Sequence, residues 1–218
     1  MNLVPNDRSR TLPRLAALPA LVALGVAGTA AAQVDFDPGI AVTMGTEPSG
    51  AAFGDFDADG DLDLATTVDG PDRIQLALND GAGGFTLGPA SLLGASSSPQ
   101  DLIAGDFDGD GLLDLAVAVR DPAGAVLIMR NSGGGVFAPV QSIGVGERPR
   151  GLAAADIDGD GDLDLAVVAR EGDSAHVLTN SGGSFVATTL ATGAEPRTAV
   201  FGDFDGDGDG DLAVTNHD

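Results

Sequence analysis

The sequence predicts an all-β protein built as an array of four-stranded antiparallel units, and three observations carry that expectation. First, an aspartate-rich motif recurs as "GDFDADGDLDL" at 54–64, "GDFDGDGLLDL" at 105–115, "ADIDGDGDLDL" at 155–165 and "GDFDGDGDGDL" at 202–212. Second, its starts at Asp55, Asp106, Asp156 and Asp203 lie 51, 50 and 47 residues apart. Such a period signals a propeller or solenoid, in which each unit buries its apolar faces against its neighbours. Third, the chain between motifs consists of short apolar runs bounded by Gly, Asp, Asn and Ser, as in "LDLAVVAR", "AHVLTN" and "SFVATTL", and no stretch is long and periodic enough for a helix. Four short antiparallel strands in roughly 50 residues describe a β-propeller blade.

Taken in order, residues 1–32 read as a secretory signal peptide. Arg8, Arg10 and Arg14 precede an apolar run from Leu15 to Gly28, followed by small residues ending Ala30-Ala31-Ala32. The run is short for a membrane span and Pro19 interrupts it. Residues 33–218 form the propeller segment. "VDFDPGIAVTMG" places Phe36 in phase with Phe85, 49 residues on, and so reads as the fourth strand of a partial blade. Three full blades follow, opened by Pro48, Pro99 and Pro149, with Phe85, Phe137 and Phe185 after Gly-rich turns. Pro196 opens a last blade of two strands ending in "AVTNHD". The expectation is an incomplete propeller, three full blades plus partial blades at both ends, with the remaining blades belonging to a longer chain. All nine phenylalanines fall at repeat landmarks, so all are expected in the core.

Charge narrows the function. The 218-residue chain carries a formal charge of −23, and its ten basic residues are all arginine. Losing the leader removes three arginines and one aspartate and leaves the remainder more acidic still. Binding to nucleic acid or an anionic membrane through bulk charge is therefore disfavoured, and no membrane insertion is expected after signal cleavage. There is no cysteine to form disulfides or carry a lipid anchor.

The shared loop is D-x-D-x-D-G-x-x-D, with carboxylates at positions 1, 3, 5 and 9 and a glycine at 6 for the turn. The sets are Asp55, Asp57, Asp59 and Asp63 in loop 55–63; Asp106, Asp108, Asp110 and Asp114 in 106–114; Asp156, Asp158, Asp160 and Asp164 in 156–164; and Asp203, Asp205, Asp207 and Asp211 in 203–211. Position 7 is Asp61, Leu112, Asp162 and Asp209, a variation that a backbone carbonyl ligand tolerates. Calcium takes six to eight oxygens in irregular geometry, which four carboxylates, a carbonyl and water would satisfy. Magnesium prefers a smaller octahedron with its own waters, and zinc prefers nitrogen or sulfur, for which the chain offers only His176 and His217. Up to four Ca2+ ions are thus expected. In the fourth loop Gly210 replaces the leucine found at position 8 elsewhere. Positions 12 are Thr66, Val117, Val167 and Val214 rather than the glutamate of an EF-hand. Acidic solvated turns without metal are the alternative reading.

The four copies "FGDFDADGDLDLA", "AGDFDGDGLLDLA", "AADIDGDGDLDLA" and "FGDFDGDGDGDLA", with their flanking Pro and Gly-Gly-Phe landmarks, resemble the FG-GAP/VCBS repeat family of integrin-α-like propellers. The resemblance implies calcium held in the hairpin between strands 1 and 2 of each blade. It also implies that the 1-to-2 and 3-to-4 loops share one face and the 2-to-3 and 4-to-1 loops the other, where such propellers engage ligands. On that second face fall Arg73, Arg120, Arg148, Arg150, Arg170 and Arg197, with only Arg130 of the arginines after the leader placed elsewhere. An acidic protein or glycan partner would fit them, unless they pair with Asp69, Asp72, Asp121, Glu147, Glu171 and Glu195 nearby.

Catalysis finds no support: there is no cysteine nucleophile, no serine in an elbow motif and no carboxylate pair apart from the loops. The absence of Trp and Tyr also disfavours a sugar-stacking lectin. The sequence therefore predicts a secreted, periplasmic or cell-surface calcium-binding propeller module for adhesion or ligand binding, and not an enzyme. The alternatives are an accessory propeller of a larger secreted carbohydrate-active enzyme and a purely structural scaffold.

Overall fold

The computed structural model of the chain describes residues 23–24, 40–120 and 123–217. The expected leader lies outside the described residues except for β1 (Ala23–Leu24), which pairs antiparallel with β2 (Ile40–Ala41). Of the strand expected over residues 34–45, residues 34–39 lie outside them as well, Ile40–Ala41 form β2, and residues 42–45 are not in a strand.

Three four-stranded antiparallel sheets follow in chain order. The first comprises β3 (Pro48–Gly54), β4 (Asp63–Val68), β5 (Arg73–Asn79) and β6 (Phe85–Leu92). The second comprises β7 (Pro99–Gly105), β8 (Asp114–Val119), β9 (Ala125–Asn131) and β10 (Phe137–Gly144). The third comprises β11 (Pro149–Ala155), β12 (Asp164–Ala169), β13 (Ser174–Ser181) and β14 (Ser184–Ala191). A two-stranded sheet of β15 (Pro196–Gly202) and β16 (Asp211–Asn216) follows. The described residues contain no helix. The sheets do not close on one another, so the architecture is an incomplete propeller.

Each opening proline occupies the first position of its blade's first strand, where the missing N–H costs no ladder bond. The residue before it is left-handed although none is glycine: Glu47, Ser98, Arg148 and Glu195 have φ of 57°, 46°, 56° and 47°. That conformation costs roughly 1–2 kcal/mol in isolation. In each blade it turns the carbonyl to accept an N–H from beyond strand 2, donated by Asp69, Arg120, Arg170 and His217 at 3.1, 3.2, 3.1 and 3.1 Å. The bond closes the end of the strand 1–strand 2 ladder and offsets the strain.

Strand 2 explains the continuous apolar runs. β4, β8 and β12, reading "DLATTV", "DLAVAV" and "DLAVVA", are buried at every residue: sheets on either side cover β8 and β12, while the second sheet covers one face of β4 and Val42 and Met44 pack on the other. β16 has the same kind of sequence but no buried residue, with no third strand beside it among the described residues. The core accordingly lies between blades. Phe56, Ile74 and Leu76 pack against Leu115, Val117, Met129 and Phe137, and one step on Phe107, Val126 and Ile128 pack against Leu165, Val167, Leu178 and Phe185. Phe56 meets Phe137 edge to face at 5.8 Å, and Phe107 meets Phe185 in the same way at 5.8 Å. The first strands approach so closely that a Cβ on Gly50 would lie 2.8 Å from the Asp101 Cα.

The expectation that every phenylalanine is core needs correction. Phe53 is 46% exposed and Phe204 62% exposed. Phe204 occupies the place of Phe56 and Phe107 in the last motif, but no strand-4 phenylalanine of a following blade faces it among the described residues.

Candidate metal centres

Each aspartate-rich loop is the hairpin between strands 1 and 2 of its blade. Its turn needs left-handed backbone at two places. Position 6 is Gly60, Gly111, Gly161 or Gly208, with φ of 97°, 88°, 96° and 96°, and position 4 is Ala58, Gly109, Gly159 or Gly206, at 65°, 75°, 76° and 80°. Glycine suits both places, and Ala58 alone carries a Cβ there.

Within this frame the carboxylates order the loop by accepting backbone N–H bonds. The position-3 Oδ1 accepts from the position-5 N–H at 3.2 Å in all four loops. The position-5 Oδ1 accepts from the position-7 N–H at 2.9 Å in all four. The position-1 Oδ2 accepts from the position-6 glycine at 3.0 to 3.2 Å. These are Asx turns in series, which leave the second oxygen of positions 3 and 5 uncommitted to the loop backbone.

Position 9 differs, because it begins strand 2 and is buried in the three full blades as Asp63, Asp114 and Asp164. One oxygen accepts the position-2 N–H of Phe56, Phe107 or Ile157 at 3.0, 3.4 and 2.9 Å. The other accepts the N–H of an asparagine at or next to the end of strand 3, Asn79, Asn131 or Asn180, at 2.9, 2.7 and 2.7 Å. A buried carboxylate thus ties the loop to the third strand. Burial, reinforced by the charges of Asp108 and Asp110, pushes Asp114 up to about 6 against those N–H bonds. Asp57 is also raised, by desolvation first and then by Asp63, Asp59 and Asp55.

The structure brings together positions 1, 3 and 9 of every loop. Carboxylate oxygens of Asp55, Asp57 and Asp63 lie within 4.8 Å of one another, as do those of Asp106, Asp108 and Asp114, of Asp156, Asp158 and Asp164, and of Asp203, Asp205 and Asp211. Each group could hold a metal ion. Asp59, Asp110, Asp160 and Asp207 at position 5 are not part of these clusters. Nor are the position-7 side chains: Asp162 instead accepts the N–H of Gly182 in the 3-to-4 turn at 2.7 Å.

Sequence reasoning passed over two kinds of residue. The strand-3 asparagines link successive blades: Asn131 Nδ2 donates to Phe56 O at 2.9 Å and to Leu113 O at 3.1 Å, and Asn180 repeats this with Phe107 O and Leu163 O at 2.8 and 3.1 Å. The signal was present, since an Asn precedes each Gly-rich turn in "NDGAGG", "NSGGG" and "NSGG". The other is Arg130, which lies at the second loop and contacts Asp108 and Asp110.

The remaining arginines occupy the other end of the blades. There the Asp72 carboxylate accepts N–H bonds from Ser96 and Ser98 at 2.7 and 2.9 Å, and Asp173 accepts from Glu195 at 2.9 Å, so the 2-to-3 and 4-to-1 loops are joined. Arg148 pairs with Glu171 at 2.6 Å, and Arg170 with Glu195 at 2.6 Å. Arg73 begins β5, Arg120 follows β8, and Arg150 and Arg197 stand next to the opening prolines of β11 and β15.

A family model for the FG-GAP-like repeat matches residues 55–117 and 106–167, and one for the FG-GAP repeat matches residues 149–186. No curated protein matches the chain. Among solved structures, a chain in the crystal structure of BBS1N in complex with ARL6DN, soaked with lead, is similar in fold at 14% identity and a TM-score of 0.55. The likeness covers 79% of this chain and 52% of that one, so this chain spans about half its length. With the repeat models covering more than half of its residues in phase with its blades, the chain belongs to the FG-GAP repeat family.

Proposed function

We propose that this chain is an exported, calcium-stabilised propeller module that binds a ligand outside the cytoplasm and has no catalytic activity of its own. The carrying observation is that four loops each gather three carboxylate oxygens within 4.8 Å. The donors are all hard oxygens in irregular loops, which fits calcium better than magnesium or zinc. Positions 1, 3 and 9 would hold the ion, with position 5 and the position-7 carbonyl completing the shell. The bound cation supplies the charge that offsets like carboxylates crowded at the end of the strand 1–strand 2 ladder.

The apolar leader of residues 1–32 supports export, and the arginines at the opposite end support ligand binding there. The test is thermal unfolding followed by β-sheet circular dichroism, with excess calcium and then with chelator. Calcium at about a hundred times its Kd stabilises a one-site protein by roughly 2.7 kcal/mol, so a clear rise in midpoint is expected. An unchanged midpoint in a cooperatively folded chain overturns the calcium reading.

A further inference from the structure

The first strands bring equivalent positions of four blades to one place. The residue after each opening proline, Ser49, Gln100, Arg150 and Arg197, lines a single cavity of about 380 Å³ together with Asp101 and Gly151. Small-molecule sites commonly measure about 300–1,000 Å³. The cavity lies at the end of the blades that carries the 2-to-3 and 4-to-1 loops, away from the acidic loops.

Its charges are unevenly matched. Arg148 and Arg170 are held by Glu171 and Glu195, whereas Arg197 lies 3.8 Å from Glu195, which already pairs with Arg170. Arg150 is half-buried, and among the described residues its side chain makes no ion pair and no hydrogen bond. Burial lowers its guanidinium pKa, and the charges of Arg170, Arg148, Arg197 and Arg120 lower it further, so the surroundings do not neutralise it. The one acid in the wall, Asp101, is committed elsewhere: its two oxygens accept the N–H groups of Leu102 and Leu152 at 2.9 and 3.0 Å. The neutral positions are also engaged, Ser49 Oγ donating to Pro99 O at 2.6 Å and Gln100 Nε2 to Ser98 O at 3.0 Å.

We propose that this cavity binds a ligand through a singly charged carboxylate, with Arg150 as the principal donor and Arg197 as the second cation. A guanidinium fork matches a planar carboxylate in two parallel hydrogen bonds. The Asp101 charge in the wall disfavours a dianion such as phosphate. The proposal rests on the reading of the chain as a binding module, but it does not need calcium to be the ion in the loops.

The test is calorimetric titration of the full chain, in calcium buffer, with two matched pairs of probes. Galacturonate is set against galactose, and N-acetylglutamate α-amide against N-acetylglutamine amide, so each pair differs in the carboxylate. Saturable binding of at least one acid, tenfold or more tighter than its neutral partner, is the expected result. Saturation by the sugar acid alone assigns a saccharide source, and by the glutamate alone a peptide source. Arg150→Ala is expected to weaken that binding tenfold or more while the calcium-dependent rise in midpoint is kept. Should that variant not fold, Arg150→Lys, which keeps the charge and loses the fork, is expected to weaken binding several-fold. Acid and neutral probes behaving alike, or an Arg150 variant that folds and binds as well as the parent, overturns the proposal. Acid binding without any effect of calcium on stability leaves this site standing and removes the calcium reading instead.

Discussion

The Nε of Arg130 lies 2.7 Å from Oδ2 of Asp108, and its Nη2 lies 3.0 Å from Asp110, so one guanidinium spans positions 3 and 5 of the second loop. The residues at the same place before the strand-3 asparagine in the other full blades are Leu78 and Thr179. This loop is also the one with Leu112 instead of an acid at position 7. Asp110 is held below its ordinary pKa by the Leu112 N–H first and by Arg130 second. The second loop therefore contains its own counter-charge, contributed by the protein.

Arg130→Ala tests what that counter-charge does. The guanidinium competes with a cation for the same carboxylates, so its removal is expected to tighten calcium binding at this loop about fivefold, the scale of an exposed ion pair. Titration calorimetry of the parent and the variant reads the change. Weaker binding in the variant would make Arg130 a support of the metal loop instead of a competitor.

Asp114 gives the chelated protein a pH dependence. Its native pKa is pushed up to about 6 from an ordinary 3.8, chiefly by burial. Between those values the native state binds more protons than the unfolded state, so stability falls as pH rises through the window. The fall amounts to about 3 kcal/mol once complete. Repulsion among the other carboxylates acts in the same direction, and Asp114→Asn separates the two. Thermal midpoints in chelator at pH 4.5 and pH 7 should converge in the variant relative to the parent, and an equal fall in both would assign the effect to the surrounding acids.

Asn131 joins two blades through one side-chain amide, donating to Phe56 O and Leu113 O while its Oδ1 accepts the Gly133 N–H at 3.0 Å. Asn131→Ala leaves carbonyls in a buried seam without donors, at about 2–4 kcal/mol for the set. Urea unfolding is expected to show that loss with a broader transition, because the seam between the first two blades weakens. A loss under about 0.5 kcal/mol would mean that water replaces the amide there.

Ala58 sits at φ 65° where the other three loops carry glycine. Relief of left-handed strain is worth roughly 1–2 kcal/mol, and the greater freedom of an unfolded glycine returns about half of it. Ala58→Gly is therefore expected to stabilise the chelated protein by about 0.5–1 kcal/mol in denaturant titration. A net loss would show that the strain is already relaxed within the loop.

The sequence by itself determined the repeat, the strand pattern and the aspartate loops. These are local properties: a period near 50 residues, runs bounded by turn residues, and Asp and Gly at places that require Asx turns and left-handed backbone. Even the inter-blade asparagines were visible in the text, as the residue before each Gly-rich turn. The tertiary structure decided what depends on neighbouring blades. Phe56 and Phe204 share a motif position, yet only Phe56 has a ring from the next blade against it, so only Phe56 is buried. Position 9 differs from positions 1 and 3 because it is buried in the full blades and one of its oxygens accepts an N–H from the third strand, whereas the backbone partners of positions 1 and 3 lie within the loop. Arg130 falls among the acids, while Arg150 makes no ion pair among the described residues, because side-chain pairing is set by the stacking of whole sheets. Residues 50 apart in sequence become adjacent at the axis only when the blades pack, and no local pattern encodes which charges then meet.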